Sequence, residues 1–188
     1  MAKFDLITVD RLKIMATESD MTFTALSLGS NLGDRLLHIE LMERALRSVF
    51  ADGGVRSSRI METEPVGVGA EHPVYLNRIV AGYYRGGAYE LLERCFSIER
   101  ALGRIRPSPK APRTVDVDIL LFGEEEISDP PKLVVPHREL QNRRFCIEGL
   151  ADIDPSILVP VAGRAFEVGE LHKNMRADVA AQNVSFLG

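Results

Sequence analysis

Tryptophan is absent from this 188-residue chain, and cysteine occurs only twice. Cys95 and Cys146 each lie in an apolar pattern without disulfide or zinc spacing, so we expect reduced core thiols and a cytoplasmic protein. The net charge of −4 leaves no excess of cations for a broad nucleic-acid surface. No apolar run has the length of a membrane span, and no secretory signal is recognisable. Internal repeats, heptads and low-complexity segments are also missing.

The chain contains 45% hydrophobic residues, enough for the core of one domain. We expect residues 1–21 to be a poorly ordered N-terminal extension, residues 22–160 to form the domain, and residues 161–188 to be a C-terminal extension or tail. An exposed apolar stripe is not evident, which favours a monomer.

Hydrophobic periodicity predicts four strands and two helices in residues 22–123. The strands cover 22–28, 55–62, 75–84 and 112–123. One helix follows a cap at Asp34 and runs towards Gly53-Gly54, and the other spans 88–102 with Gly103 after its end. The order βαββαβ predicts an α+β fold, a ferredoxin-like sandwich with an irregular helical C-terminal extension.

The strand that ends at Gly123 carries two acidic residues, Asp116 and Asp118. Side chains alternate in a strand, so the two carboxylates share one face, about 6.5–7 Å apart, while Val117, Ile119 and Leu121 face the core. Mg²⁺ prefers oxygen ligands and would relieve their repulsion. Nearby cations complete a set typical of phosphoryl transfer: Arg104, Arg106, Lys110 and Arg113. The alternative is a solvated acidic edge strand.

Several other polar positions have two interpretations. The turn Gly29–Gly33 lacks both phosphate-loop patterns, so its glycines favour a tight turn, although Ser30 or Asn31 could contact a ligand. Asn77 lies among apolar residues and needs partners, either in a ligand or in the protein. Glu99 borders a buried helical stripe, beside a cleft or at an ordinary surface. A lone histidine such as His137 is more often structural than catalytic.

Five motifs in order resemble one family: Gly29–Gly33, Glu62–Gly67, Tyr75–Asn77, Pro112–Leu120 and Val135–His137. The segment from about 22 to 160 is similar to the hydroxymethyldihydropterin pyrophosphokinases of folate biosynthesis. The resemblance implies transfer of the β,γ-diphosphate of ATP to the hydroxymethyl group of a reduced pterin, with AMP as the second product.

The resemblance also implies a role for each matching residue. Asp116 and Asp118 would hold two Mg²⁺ ions and, with Arg104 and Arg113, form the catalytic set. The residues expected to bind ATP are Glu99, Arg104, Arg106, Arg113, His137 and Arg143. The residues expected to bind the pterin are Thr63, Val66, Gly67, Tyr75, Asn77 and Phe145.

The loop before Pro112 departs from the family pattern. Lys110-Ala111 stands where the family commonly has Trp-Gly, and the loop is one residue shorter and richer in proline. Either Arg104 or Arg106 therefore contacts the phosphates. A less mobile loop would alter closure and product release. The altered loop keeps open a non-catalytic or degenerate nucleotide- or pterin-binding module, and a third alternative is a nucleotidyl transferase with a D-x-D metal site.

Overall fold

The computed structural model of the protein describes residues 21–65, 73–104 and 112–187. The fold is mixed α/β with an antiparallel sheet. The strands are β1 (Met21–Ser30), β2 (Val55–Ser57), β3 (Met61–Thr63), β4 (Tyr75–Arg85), β5 (Asp116–Phe122), β6 (Ile127–Asp129), β7 (Leu133–Val135), β8 (Leu158–Val161), β9 (Arg164–Glu167) and β10 (Val184–Phe186). The α-helices are α1 (Arg35–Arg47), α2 (Ala88–Ala101), α3 (Arg144–Ile153), α4 (Val168–Lys173) and α5 (Ala177–Ala180).

The main sheet has six strands, in the order β10-β3-β4-β1-β5, with β2 also paired to β4. Every pairing in it is antiparallel. β4 is the longest strand, and it supports β1 along one side and both β2 and β3 along the other. The remaining strands form two hairpins, β6-β7 and β8-β9.

Helices cover both faces of the main sheet. α1 and α2 share one buried cluster with β1, β4 and β5, and their stripes are Ile39, Met42 and Leu46 on α1 and Leu91, Cys95 and Ile98 on α2. The Asp34 carboxylate accepts a hydrogen bond from the Leu37 N–H at 3.1 Å, which confirms the predicted cap. No helix in the described part of the chain has the length and apolar character needed to cross a membrane.

α3 packs very closely on the opposite face of the sheet. A Cβ atom at Gly149 would lie 2.3 Å from Ile79 Cγ1 and 2.8 Å from Met61 Cε. Only glycine therefore permits this approach, which brings α3 directly against β3 and β4. A second buried cluster lies between α3 and the sheet, and Phe145, Cys146 and Leu150 of α3 belong to it.

The predicted second strand is two strands, β2 and β3. Between them, the Ser58 hydroxyl accepts a hydrogen bond from the Ile79 N–H, while the Ser58 N–H donates to the Ile79 carbonyl. The Arg59 N–H and guanidinium both donate to the Asp152 carboxylate of α3. These bonds replace the sheet ladder over Ser58–Ile60, so the prediction of one continuous strand was wrong.

Leu121 is buried in the core as predicted, but it does not share a face of the sheet with Val117 and Ile119. Opposite the Ala25-Leu26 step of β1, the register of β5 jumps from Leu121 to Ile119. This bulge shifts the alternation of side chains beyond Ile119. Val117 and Ile119 therefore pack with α1 and α2, whereas Leu121 packs in the cluster that contains α3.

The C-terminal residues contain regular secondary structure. Val184–Phe186 forms β10, which extends the main sheet by pairing with β3. α1 ends at Arg47, earlier than predicted, and a short 3₁₀ turn at Ala51–Gly53 precedes β2. Of the expected N-terminal extension, only Met21 lies in the described residues, and there it begins β1.

Candidate active site

A cavity of about 430 Å³ opens on the sheet face that α3 covers. Its floor comes from β1, β4 and β5, and its walls come from the end of β3, the start of α3 and the residues before β10. The lining residues are Ser27, Gly29, Thr63, Glu64, Pro65, Tyr75, Asn77, Arg113, Asp116, Asp118, Arg143, Phe145, Ala181, Gln182, Asn183 and Val184. We call this cavity the main cleft.

Asp116 and Asp118 both line the main cleft. In the sheet Asp116 is opposite Gly29 and Asp118 is opposite Ser27, so the two carboxylates lie over adjacent positions of the same face. Burial raises the pKa of both groups, and the charge of Asp118 further raises the pKa of Asp116. A cation placed between them would remove this repulsion.

Asp116 is the centre of a buried ion cluster. Its carboxylate lies 2.6 Å from Arg104 Nη1 and 2.8 Å from Arg113 Nη1. Arg104 also pairs with Glu99, whose carboxylate accepts the Val117 N–H at 2.9 Å. Burial works to lower the pKa of Arg113, but the charge of Asp116, together with Tyr75 and the charge of Asp118, raises the pKa above its ordinary value. Asp118 forms no ion pair with any residue in the described ranges.

The two arginines keep donors that the described protein does not use. The Nε–H groups of Arg104 and Arg113 are buried, and neither has a hydrogen-bond partner among the described residues. Buried donors normally find partners, and a phosphate oxygen is a strong acceptor for guanidinium groups. The cluster can therefore accept further negative charge in addition to Asp116.

Asn31 holds Arg113 in place through the backbone. The Arg113 N–H donates to Asn31 Oδ1 at 2.8 Å, and the Asn31 N–H donates to the Arg113 carbonyl at 3.1 Å. The Asn31 side-chain N–H donates to the Pro73 carbonyl, and Asn31 is only 1% exposed. The Asn31 side chain therefore bonds to the protein and fixes the backbone of Arg113.

The other end of the cleft is less charged. The Asn77 amide donates to Thr63 Oγ1 at 2.7 Å, and both side chains are buried. Its carbonyl oxygen lies next to Gly29, where a Cβ atom would be only 3.2 Å away. The side chains of Tyr75 and Phe145 add aromatic surface to the same cavity.

His137 borders a separate cavity of about 300 Å³ instead of the main cleft. Its Nδ1 accepts the Glu139 N–H at 3.3 Å, which leaves Nε2 to carry the ring proton. Burial, followed by the charge of Arg143, lowers the pKa of His137 to about 4. The ring is therefore neutral near pH 7 and can donate one hydrogen bond through Nε2.

Most of the residues singled out from the sequence come together. Asp116, Asp118, Arg113, Arg143 and the pterin-side residues Thr63, Tyr75, Asn77 and Phe145 line the main cleft, with Arg104 and Glu99 paired behind Asp116. Val66, Gly67 and Arg106 lie outside the described residues. The sequence indicated Gly29 only as part of a tight turn and not as the floor of the cleft, and it did not reveal the wall at 181–184, which has no local pattern of its own.

Comparisons with known proteins give a consistent result. Residues 25–155 match the family described as 7,8-dihydro-6-hydroxymethylpterin-pyrophosphokinase (HPPK). A Methylorubrum extorquens protein named 2-amino-4-hydroxy-6-hydroxymethyldihydropteridine pyrophosphokinase is 36% identical over 142 residues, which cover 74% of this chain and 87% of that protein. A Bacillus subtilis protein of the same name is 38% identical over 128 residues, or 68% and 75% of the two chains.

Larger proteins also contain this unit. The mitochondrial folate synthesis bifunctional protein of Arabidopsis thaliana is 36% identical over 149 residues, which are 78% of this chain but 25% of that protein. A crystal structure of a Plasmodium falciparum HPPK-DHPS variant with pteroate shares the fold, with a TM-score of 0.61 and 12% identity over 86% of this chain and 42% of that one. With a family match over most of the chain and relatives above 35% identity, the protein belongs to the HPPK family.

Proposed function

We infer that this protein transfers the β,γ-diphosphate of ATP to the hydroxymethyl group of 6-hydroxymethyl-7,8-dihydropterin in folate biosynthesis. The products are AMP and the pterin diphosphate. One observation carries the inference at the site: two carboxylates share a cleft with an arginine cluster at one end and an amide with aromatic rings at the other. The names of the related proteins support the same reaction.

Asp116 and Asp118 are the residues that would hold Mg²⁺, and we propose two ions. Their donor set consists of oxygen atoms only, which is what this cation prefers, and the pKa directions favour added positive charge. The described residues contain no group of three or more acidic, histidine or cysteine side chains suited to a metal, so phosphate oxygens and water would complete the shell. Bound Mg²⁺ supplies charge neutralisation of the polyphosphate.

On the phosphate side, the guanidinium groups bind and orient. Arg104 and Arg113 hold buried Nε–H donors without a described partner, and phosphate oxygens would satisfy them. Arg143 adds positive charge beside Asp118. We also assign Glu99, Arg106 and His137 to the ATP side, with Glu99 fixing Arg104 and His137 donating through Nε2.

On the pterin side, the chain offers a polar edge and aromatic faces. One N–H of the Asn77 amide donates to Thr63, and the carbonyl oxygen remains to accept an N–H of the heterocycle. Tyr75 and Phe145 provide surfaces against which a flat ring can pack. The remaining pterin contacts of the proposal are Val66 and Gly67.

Holding both substrates in one cleft accounts for much of the rate enhancement. The pterin hydroxymethyl oxygen bonds to the β-phosphorus while the bond from that phosphorus to the oxygen bridging it to the α-phosphorus breaks, which releases AMP. Correct alignment of two such reactants can supply roughly 7–11 kcal/mol of the barrier reduction. The rigid sheet under Asp116 and Asn77 serves this alignment, since both residues flank Gly29 in the register.

We further propose that the fold is ferredoxin-like. The order β1-α1-β3-β4-α2-β5 and the sheet order β3-β4-β1-β5 agree with a βαββαβ unit. In this proposal residues 22–160 form the catalytic domain, residues 1–21 remain an extension, and β10 is an added edge strand. We expect a cytoplasmic monomer that acts on small molecules without nucleic-acid or membrane partners, and the two free, buried cysteines agree with a reducing compartment.

The test is AMP release from ATP and Mg²⁺, measured with and without the hydroxymethyl pterin. We expect AMP only when the pterin is present, and none after a chelator removes the cation. Asp116→Ala should abolish the activity, whereas the exposed turn variant Glu125→Gln should retain it. ATP binding without any AMP release would instead identify a non-catalytic binding module and overturn the proposal.

A further inference from the structure

The wall of the main cleft formed by residues 181–184 lies beyond the region that matches the family. These four residues belong to the segment between α5 and β10 and to the start of β10 itself. They face the less charged end of the cleft, because β10 pairs with β3 and not with β5. This position places them next to the proposed pterin contacts.

The register of β10 fixes which side chain faces the cleft. Val184 is opposite Thr63, and Thr63 is in turn opposite Tyr75. Residues directly opposite one another in a sheet point to the same face. Val184, Thr63 and Tyr75 therefore form one row across three strands, and all three line the cavity. The next residue, Ser185, points to the other face and is exposed.

Hydrogen bonds to α3 hold this segment against the cleft. The Arg144 N–H donates to Gln182 Oε1 at 3.0 Å, and Gln182 Nε2 donates to the Asn142 carbonyl at 2.7 Å. Arg144 Nη1 adds bonds to the Ala180 and Gln182 carbonyls. Arg144 lies between the cleft residues 143 and 145, so the wall and the start of α3 are positioned together.

Asn183 differs from its neighbour in having an unused amide. Both polar atoms of the Gln182 side chain are bonded to the protein, whereas the Asn183 side chain forms no hydrogen bond with any residue that the structure describes. Asn183 is exposed and lines the cleft. Its amide can therefore both donate to and accept from a ligand that enters beside Val184.

We propose that residues 181–184 are part of the substrate site, where Asn183 hydrogen-bonds the polar edge of the heterocycle and Val184 packs against its ring. The inference rests on the proposed function, since the heterocycle is the pterin of that reaction. Gln182 is a positioning residue that holds the wall through Asn142 and Arg144. The C-terminal strand thus contributes to substrate specificity in addition to extending the sheet.

Steady-state kinetics of single variants test the wall. Asn183→Ala should raise the KM for the pterin about fivefold, the factor that corresponds to one neutral hydrogen bond, with the KM for ATP unchanged. Val184→Ala and Gln182→Ala should also raise the pterin KM, while kcat at saturating pterin stays close to wild type. Ser185→Ala is the matched control, on the opposite face of the same strand, and should change nothing.

Calorimetric titration of the protein with the pterin separates this inference from the proposed function. Equal pterin affinity in wild type, Asn183→Ala and Val184→Ala would refute the proposal that residues 181–184 bind the pterin, whether or not AMP is released. Weaker pterin binding in both variants supports the role of residues 181–184, even if the wild-type protein releases no AMP. The lack of AMP release would then refute only the proposed reaction. A wild-type protein that does not bind the pterin overturns both.

Discussion

Replacing Asp116 by asparagine should destabilise the protein, whereas the same change at Asp118 should not. Asp116 pairs with Arg104 and Arg113, whose side chains are 7% and 26% exposed. Removing one partner of a buried ion pair costs about 3–5 kcal/mol, because a charge is left without compensation. Arg104 keeps Glu99, so we expect the lower value, about 3 kcal/mol, for Asp116→Asn. For a chain of this size the melting temperature should fall by roughly 6–12 °C.

Asp118→Asn removes a charge that has no described ion pair. Two carboxylates about 6.5–7 Å apart repel by roughly 2.5 kcal/mol at an effective dielectric constant of about 20. Nearby arginines already offset part of this repulsion, which is consistent with the pKa of Asp118 being raised by burial and lowered by Arg143 and Arg113. We therefore expect Asp118→Asn to be neutral or to stabilise the protein by up to about 2 kcal/mol.

Urea denaturation in the presence of a chelator measures both changes without bound cation. AMP release at saturating Mg²⁺ should fall at least about a hundredfold in both variants, since a metal ion stabilises several kcal/mol of developing charge. Glu125→Gln, at an exposed turn, controls for the loss of one negative charge. If Asp118→Asn destabilised the protein as strongly as Asp116→Asn, the described ion cluster would be the wrong account of the site.

Three further substitutions probe the site and the core. His137 has a native pKa of about 4 against 6.5 in the unfolded chain, so the free energy of unfolding should drop as the pH falls from 6.5 to 4. His137→Asn should remove up to about 3 kcal/mol of that drop. An equal drop in the wild type and the variant would contradict this account of His137. Gly149→Ala should destabilise the protein by about 1–3 kcal/mol in urea, because the new methyl group overlaps Ile79, and unchanged stability would refute the close approach of α3. Gly29→Ala places a methyl group 3.2 Å from Asn77 Oδ1 and should raise the pterin KM about tenfold, with stability as the control; an unchanged KM would remove Gly29 from the floor.

The sequence predicted the elements that depend on local patterns. The period of Ile39, Met42 and Leu46 identified α1, and the alternation through Asp116 and Asp118 identified the two carboxylates that share the cleft. Both patterns reflect the side-chain geometry of a single element, so a short stretch of sequence contains all the information required. Arg104 and Arg113 could be recognised as site residues because they lie close to Asp116 in the sequence.

Features that depend on distant partners could not be predicted in this way. The break between β2 and β3 is held by Asp152, which lies 93 residues from Arg59. The bulge in β5 is defined by its pairing with β1, and the short strand β10 exists because β3 offers an open edge. Asn31 has a function only because the fold brings Arg113 against it, 82 residues further along the chain.

The Glu99–Val117 hydrogen bond also affects how the protein behaves when it is concentrated. Among the strands that the structure describes, β5 is the last at its side of the sheet, and an unpaired N–H on such a strand can recruit a strand from another molecule. The Glu99 carboxylate occupies the Val117 N–H, so a neighbouring chain finds no donor at this point. The carboxylate that pairs with Arg104 thereby also works against edge-to-edge association of the concentrated protein.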